Sequence, residues 1–146
     1  MATTNHPRRQ GREAVLQALY ASEMSGETRP KILKDIFERK HFDQKMKQFI
    51  KALFNSSLEH KEWCEGQIKS RLNNWEFNRI ALLDRLLMVV AISEIYFVDD
   101  VPPKVSISEA IEIAKEYSTE DSASFVNGVL DNIYKSIPVD NKEVAL

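Results

Sequence analysis

The sequence has few of the residues from which most catalytic and metal sites are built. It contains one cysteine, Cys64, four glycines and three histidines among 146 residues. One cysteine cannot form an internal disulfide or a multi-cysteine zinc site, and the histidines stand at no metal-binding spacing. The glycines form neither a phosphate-binding loop nor a dinucleotide-binding motif. We therefore expect no metal, no cofactor and no enzymatic activity.

The sequence also lacks β-type alternation of useful length, and its first residues contain no apolar segment of the kind found in secretory signals. The longest apolar stretch, Arg79 to Val98, is interrupted by Asp84, Arg85 and Glu94, whereas a membrane span needs about 20 predominantly apolar residues with few charges. A helix that is apolar on nearly every side belongs in a core. The stretch therefore predicts a buried central helix in an all-helical protein that does not enter a membrane. A single cysteine suits the reducing cytoplasm, where we expect the protein to act.

The net charge of −2 conceals an uneven distribution of charge along the chain. Residues 1–51 contain eleven Lys or Arg against six Asp or Glu, a balance of +5, and residues 52–146 contain nine against sixteen, a balance of −7. A basic front part suits a polyanion, and an acidic remainder suits a cationic protein. Two ordinary solvated faces would give the same composition, so charge alone leaves both interpretations open.

Periodicity and capping residues predict about seven helices, and the length suits one domain. Asp43 is placed to cap the third helix, and Thr119 is among the residues that could cap the last one. A proline pair ends the central helix. Just beyond it, Ser106 and Glu109 have the spacing of a capping box, which predicts that the next helix begins at Ser106.

Three arginines, Arg8, Arg9 and Arg12, stand where the first helix should begin. Positive charge at a helix N-terminus opposes the helix dipole, which favours a functional reason for it, and guanidinium groups match phosphate oxygens. The same helix places four residues on one stripe: Arg9, Glu13, Gln17 and Tyr20. The stripe favours RNA or DNA binding as one interpretation, and solvated charge is the simpler alternative.

Phe125 lies at the shoulder of the apolar stripe of the last helix, about 100° from the centre of that stripe. A ring in this position either covers the edge of a core or stays available for stacking or for an interface. The residue pattern alone leaves both roles open.

Two segments of the sequence resemble the NusB family of bacterial transcription antitermination factors. One is REAVLQALYASEMS in the first helix, and the other is DVPPKVSISEAIEIAKEYSTEDSASFVNGVLDNI, from Asp100 to Ile133. The matching region runs from about Arg8 to Ile133, which is nearly the whole chain. The resemblance implies an all-α fold of two small helical bundles in one domain, with an N-terminal half over residues 1–75 and a C-terminal half over residues 76–146.

The resemblance also implies a non-catalytic role in transcription. Family members bind the boxA element of nascent ribosomal RNA together with NusE, a ribosomal protein, and the pair helps RNA polymerase to read through terminators. We therefore expect boxA-type single-stranded RNA, NusE and the RNA polymerase antitermination complex as partners, with a homodimer of the free chain as an open alternative. A second functional hypothesis is a helical protein-interaction module without intrinsic nucleic-acid binding.

By position, the resemblance implies two sets of site residues. The RNA-binding set consists of Arg8, Arg9, Arg12, Gln17, Tyr20, Asp121, Phe125 and Asn127. The NusE-binding set lies at the beginning of the central helix and consists of Asp84 and Arg85.

The chain departs from the family pattern close to both sets. Gln10 and Gly11 stand within the arginine run, which implies fewer phosphate contacts and a lower intrinsic RNA affinity. In the central helix, Val89 and Ser93 replace an Arg and a Tyr that are frequent in relatives. We expect these two changes to affect packing and the NusE contact.

Overall fold

The computed structural model describes residues 8–72, 74–99 and 101–139, and within these ranges the chain forms eight α-helices and no strand. The prediction of an all-helical fold is confirmed. The helices are α1 (Arg9–Ser25), α2 (Arg29–Arg39), α3 (Gln44–Glu59), α4 (Lys61–Lys69), α5 (Asn74–Arg79), α6 (Leu82–Phe97), α7 (Pro103–Tyr117) and α8 (Glu120–Ser136).

Side-chain caps and one glycine set several of the helix ends. The side chain of Asp43 accepts a hydrogen bond from the Met46 backbone N–H at 2.8 Å and begins α3, as predicted. Thr119 caps α8 in the same way, accepting from the Ser122 N–H at 3.0 Å. Gly26 ends α1 in the left-handed region, with φ of 70°, where a side chain would be strained.

The predicted start of α7 at Ser106 is wrong. The helix begins three residues earlier, at Pro103, with Pro102 as the N-cap. Proline at the first helical position costs no hydrogen bond, because the N–H that it lacks would have no intrahelical partner there. Ser106 and Glu109 are therefore both interior and buried, and the Glu109 carboxylate pairs with arginines of α1 rather than with the backbone.

The short helix α5 accounts for the difference between about seven predicted helices and eight observed ones. It occupies part of the segment that joins the two halves of the sequence, where asparagines favour turns. Phe77 of α5 is buried at 4% exposure and belongs to the hydrophobic core. The segment is thus a packed element, and it precedes the start of the central helix.

The central helix is α6, and it is buried on nearly all sides, as predicted. It contacts α1, α3, α4, α7 and α8, and its buried residues extend from Asp84 to Ile95. One hydrophobic cluster unites side chains from both halves of the chain around it. No helix in the described ranges is long and apolar enough to cross a membrane.

Val89 and Ser93 both lie inside this core. Val89 is fully buried, and the Ser93 hydroxyl donates a hydrogen bond of 2.8 Å to the Ser56 hydroxyl of α3. A buried hydroxyl needs such a partner, because an unsatisfied one costs free energy. The departure at Ser93 therefore concerns the packing of α6 on α3, and the departure at Val89 concerns the core.

Candidate nucleic-acid interface

The arginines at the start of α1 are joined to acidic side chains of other helices. Arg9 makes two parallel hydrogen bonds to Glu109 of α7, from Nε to Oε1 at 2.9 Å and from Nη2 to Oε2 at 2.8 Å. This two-pronged geometry is the strongest form of Arg–carboxylate pair. The hydrogen bond to Glu109, opposed in part by burial, raises the pKa of Arg9.

Arg12 is the most deeply buried of these arginines, with a side chain that is 3% exposed. Its Nε and Nη2 donate to both oxygens of Glu94, at distances of 2.9 to 3.1 Å, and the Glu94 side chain is 1% exposed. Nη1 of Arg12 also lies 3.6 Å from Oε1 of Glu109. Arg12 is therefore part of an internal ion-pair network and does not present its guanidinium at the surface.

Arg8 and Gly11 lie against α3. The Arg8 guanidinium carbon is 4.4 Å from the centre of the Phe49 ring, a cation–π contact. A Cβ placed on Gly11 would come within 2.6 Å of the Met46 sulfur and 3.2 Å of a Phe49 ring carbon. The close approach of α1 to α3 thus gives Gly11 a packing role that the interrupted arginine run did not indicate.

Ion pairing supplies a structural reason for positive charge at this helix N-terminus. From the sequence, phosphate binding and solvated charge were both open explanations for this charge, which the helix dipole alone disfavours. Glu94 and Glu109 compensate that charge from α6 and α7. Neither partner was predicted from the sequence. The signal that could have identified Glu94 is a carboxylate within an otherwise apolar helix, since a buried charge needs a partner.

Two of the remaining residues of the α1 stripe, Glu13 and Gln17, lie near the end of α7. Gln17 is exposed, and its Nε2 lies 3.5 Å from the Tyr117 hydroxyl, a long hydrogen bond. Tyr20 follows one turn later and is 40% exposed. Glu13, on the same stripe, has a raised pKa because of partial burial and then because of the neighbouring Glu116 carboxylate. The stripe is therefore mixed in charge rather than basic.

A second feature of the surface is an open groove of about 460 Å³ where α5, the start of α6 and the start of α8 meet. Its walls bring together predicted residues from both functional sets. The lining residues are Glu76, Arg79, Ile80, Ala81, Asp84, Asp121, Ser122 and Phe125. Asp84 from the NusE set thus adjoins Asp121 and Phe125 from the RNA set.

Individual side chains at the groove differ in how far they reach the surface. Asp84 is 5% exposed, Phe125 is half-buried and packs on the edge of the core, and Asp121 is exposed. The Arg85 side chain makes a cation–π contact with Phe77 of α5, with its guanidinium carbon 5.3 Å from the centre of the ring. Asn127 is exposed but does not line the groove, because two helical positions from Phe125 correspond to about 200° of rotation.

Neither a metal site nor a reactive thiol is among the features of the described ranges. They contain no group of three or more His, Cys, Asp or Glu side chains placed to hold a metal ion. Burial raises the pKa of the Cys64 thiol to about 12, so the nucleophilic thiolate is scarce at neutral pH. Cys64 is a fully buried core residue of α4.

Comparison with known sequences gives matches along nearly the whole chain. Residues 9–135 match the model of the NusB family. The transcription antitermination protein NusB of Chloroherpeton thalassium is 47% identical over 131 residues, which cover 89% of this chain and 62% of that relative. The NusB protein of Methylacidiphilum infernorum is 42% identical over 129 residues, which cover 88% of this chain and 90% of the relative.

Solved structures agree with these sequence matches. NusB of T. maritima superposes with a TM-score of 0.81 at 38% identity, over 90% of this chain and 93% of that one. A chain from a complex of antitermination factors NusB and NusE with double-stranded RNA also superposes with a TM-score of 0.81. The match covers 89% of this chain and 97% of that chain, and because the identity is only 24%, it shows a shared fold and nothing more. From the family match and the relatives above 40% identity, we conclude that the chain belongs to the NusB family.

Proposed function

We propose that the protein is a transcription antitermination factor that binds boxA-type single-stranded RNA together with NusE, as part of the RNA polymerase antitermination complex. Family membership supports the proposal, because the relatives are transcription antitermination proteins and the family is not an enzyme family. A protein of the same fold was crystallised with NusE and double-stranded RNA. The proposed role needs no catalysis and no cofactor, and it places the protein in the cytoplasm.

The groove between α5, α6 and α8 is the observation that carries the proposal. Asp84, which the resemblance assigns to the NusE contact, lines the same groove as Asp121 and Phe125, which it assigns to RNA. A protein and an RNA strand that bind side by side would meet at such a place. The acidic groove residues suit basic side chains of a protein, and the half-buried Phe125 ring suits a base.

The arginines divide into different roles in this proposal. Arg8 and Arg9 lie at the α1 terminus and remain partly exposed, so they are the candidates for phosphate contacts. Arg12 has an indirect role, because its buried ion pair with Glu94 holds the start of α1 against α6.

The other predicted residues lie on three surfaces. Gln17 and Tyr20 extend the RNA surface along α1. At the other edge, Asp84 and Arg85 would face NusE, and Asn127 stays a predicted RNA residue on a separate face of α8.

The second functional candidate is a helical protein-interaction module without intrinsic RNA binding. One observation favours it: Arg9 and Arg12 form ion pairs with acidic side chains, Glu94 and Glu109. These pairs neutralise positive charge that would otherwise attract RNA. Under this alternative, NusE would bind but the pair would not distinguish boxA RNA from another strand. The two candidates therefore differ in a quantity that can be measured.

Fluorescence anisotropy of labelled RNA tests the proposal directly. The full chain is titrated onto boxA RNA and onto a scrambled strand of equal composition, with and without NusE, across a salt series. We expect tighter binding to boxA than to the scrambled strand, a further gain with NusE, and weaker binding as salt rises, because phosphate contacts release counterions. Equal affinity for the two strands with NusE bound would instead establish the protein-interaction module.

A further inference from the structure

The structure leaves a gap between the two parts of the proposed RNA surface. Gln17 and Tyr20 lie on α1, whereas Asp121 and Phe125 line the groove at the start of α8. A single strand that follows both parts must cross the surface between them. The residue at that crossing is Tyr117, the last residue of α7.

Tyr117 is connected to both sides of the gap. On one side, the Gln17 side-chain amide lies 3.5 Å from the Tyr117 hydroxyl. On the other side, α8 begins three residues after Tyr117. In the intervening turn, the Ser118 hydroxyl donates a hydrogen bond to the Ser122 hydroxyl at 2.9 Å, and the Ser122 backbone N–H donates to the Thr119 hydroxyl at 3.0 Å. Ser122 itself lines the groove. Tyr117 thus lies next to Gln17 of α1, and a hydrogen-bonded turn connects it to the groove.

The Tyr117 ring is exposed without an aromatic neighbour to account for it. Its exposure is 37%, close to that of Trp63 and Phe97 elsewhere on the surface. Those two rings pack against each other at 5.4 Å, and Phe97 also stacks on His60 at 3.6 Å. Among the ring pairs of the described residues, none involves Tyr117. An exposed ring without an aromatic partner is a suitable platform for a base.

We propose that Tyr117 is a stacking residue for an unpaired base of single-stranded RNA, and that it joins the α1 stripe to the groove at α8. This inference rests on the proposed function. The Gln17 amide beside the ring supplies a donor and an acceptor that can reach the edge of the stacked base. Tyr117 is thereby assigned a role in RNA binding that neither composition nor helical periodicity indicated.

The charges around Tyr117 determine which part of the strand lies there. Burial and then the charge of Glu13 raise the pKa of the Tyr117 hydroxyl, and Glu116 adds a smaller effect in the same direction. Two carboxylates next to the ring repel phosphate, so the strand presents a base at this point and keeps its phosphates toward the arginines at the start of α1. Removal of the ring should therefore weaken binding without changing its dependence on salt, since every phosphate contact stays in place.

Three variants of the full chain test the inference with boxA-type single-stranded RNA in the presence of NusE. Tyr117→Ala removes the ring, Tyr117→Phe keeps the ring and removes the hydroxyl, and Trp63→Ala removes an equally exposed ring on another surface. We expect Tyr117→Ala to weaken binding by about five- to 150-fold, the range for loss of one base–aromatic stack, with an unchanged salt slope. Tyr117→Phe and Trp63→Ala should bind nearly as the wild type does.

A spectroscopic readout separates stacking from a purely structural effect. RNA that carries 2-aminopurine at single positions should lose fluorescence on binding at one position, and that quenching should disappear with Tyr117→Ala and persist with Tyr117→Phe. Wild-type affinity and quenching in Tyr117→Ala would overturn the inference while leaving the proposed function intact. If the wild-type protein with NusE does not prefer boxA to a scrambled strand, the proposed function itself fails, and the inference fails with it.

Discussion

Arg12 of α1 and Glu94 of α6 form an ion pair in the interior of the protein, with nitrogen–oxygen distances of 2.9 to 3.1 Å and side chains that are 3% and 1% exposed. The pair ties the first helix to the central helix. Glu109 of α7 adds a longer contact to Arg12 and a bidentate one to Arg9. One ion-pair network therefore links α1, α6 and α7. Burial of these groups is tolerable only because each has partners.

Removing one member of the buried pair should destabilise the fold strongly. Arg12→Met leaves the Glu94 carboxylate in the core without its guanidinium, and we expect the free energy of unfolding to fall by about 3 to 5 kcal/mol. Urea denaturation followed by circular dichroism measures the loss. The double variant Arg12→Met with Glu94→Leu removes both charges and should recover much of it. A loss below about 1 kcal/mol in the single variant would mean that the pair contributes little.

The sequence was sufficient to predict the features that local interactions determine. Asp43 begins α3 as predicted, and Thr119 is the one of several candidate residues that caps α8, because a cap acts on a backbone N–H only three residues away. The apolar run around Val89 identified the central helix because burial on all sides leaves a composition signal. The start of α7 was misplaced because the capping-box spacing at Ser106 competed with the helix-starting effect of Pro103.

Contacts between distant positions could not be predicted in the same way. Arg12 and Glu94 are 82 positions apart, and Arg9 and Glu109 are 100 positions apart. No periodicity within one helix indicates which distant carboxylate an arginine will meet. The site was therefore predicted as a basic surface, whereas the structure encloses Arg12 and pairs Arg9. The groove at Phe125 likewise depends on how α5, α6 and α8 pack, which a single helical stripe does not specify.

The two partly exposed arginines, Arg8 and Arg9, should control the salt dependence of RNA binding. Alanine at both Arg8 and Arg9 should weaken binding to boxA RNA and flatten the slope of log affinity against log salt by about 0.7 for each phosphate that is no longer bound. The measurement is anisotropy at several salt concentrations in the presence of NusE. Lys135→Ala, which removes an exposed cation at the far end of α8, is the matched control and should leave the slope nearly unchanged. An unaltered slope in the double arginine variant would show that these residues bind no phosphate.

Glu109 should compete with RNA for Arg9. The carboxylate occupies Nε and Nη2 of Arg9, the two nitrogens that would bind a phosphate in the same bidentate way. Glu109→Gln keeps a hydrogen-bond acceptor but removes the charge, so we expect tighter RNA binding and a salt slope that is steeper by about 0.7. Thermal unfolding must show an intact fold for the comparison. Weaker binding in the folded variant would show that Glu109 positions Arg9 for RNA instead of competing with it.

Two substitutions at Phe125 distinguish core coverage from stacking. Leucine fills much of the space at the edge of the core but offers no aromatic face, so Phe125→Leu should leave stability nearly unchanged while weakening RNA binding by about 1 to 3 kcal/mol. Phe125→Ala should lower both quantities, because it also exposes apolar core surface. Urea denaturation and RNA anisotropy on the same samples provide the two readouts. Normal RNA binding by the leucine variant would assign Phe125 to the core alone.

Stability should fall as the pH rises through the range in which the Glu13 carboxyl loses its proton. Burial and the neighbouring Glu116 raise the pKa of Glu13 above its ordinary value of 4.5. A carboxyl with a higher pKa in the folded than in the unfolded chain is less costly to bury when it is protonated than when it is ionised. The contribution of Glu13 to stability is therefore greatest at a pH below 4.5, and it falls as the pH rises from 4.5 through the folded-state pKa. Glu13→Gln stays neutral, so at neutral pH it should be more stable than the wild type, and the advantage should vanish in acid. Urea denaturation between about pH 4 and pH 8 measures the difference, with exposed Glu38→Gln as the control for loss of a surface carboxylate. A constant difference across that range would show that Glu13 ionises alike in the folded and unfolded chains.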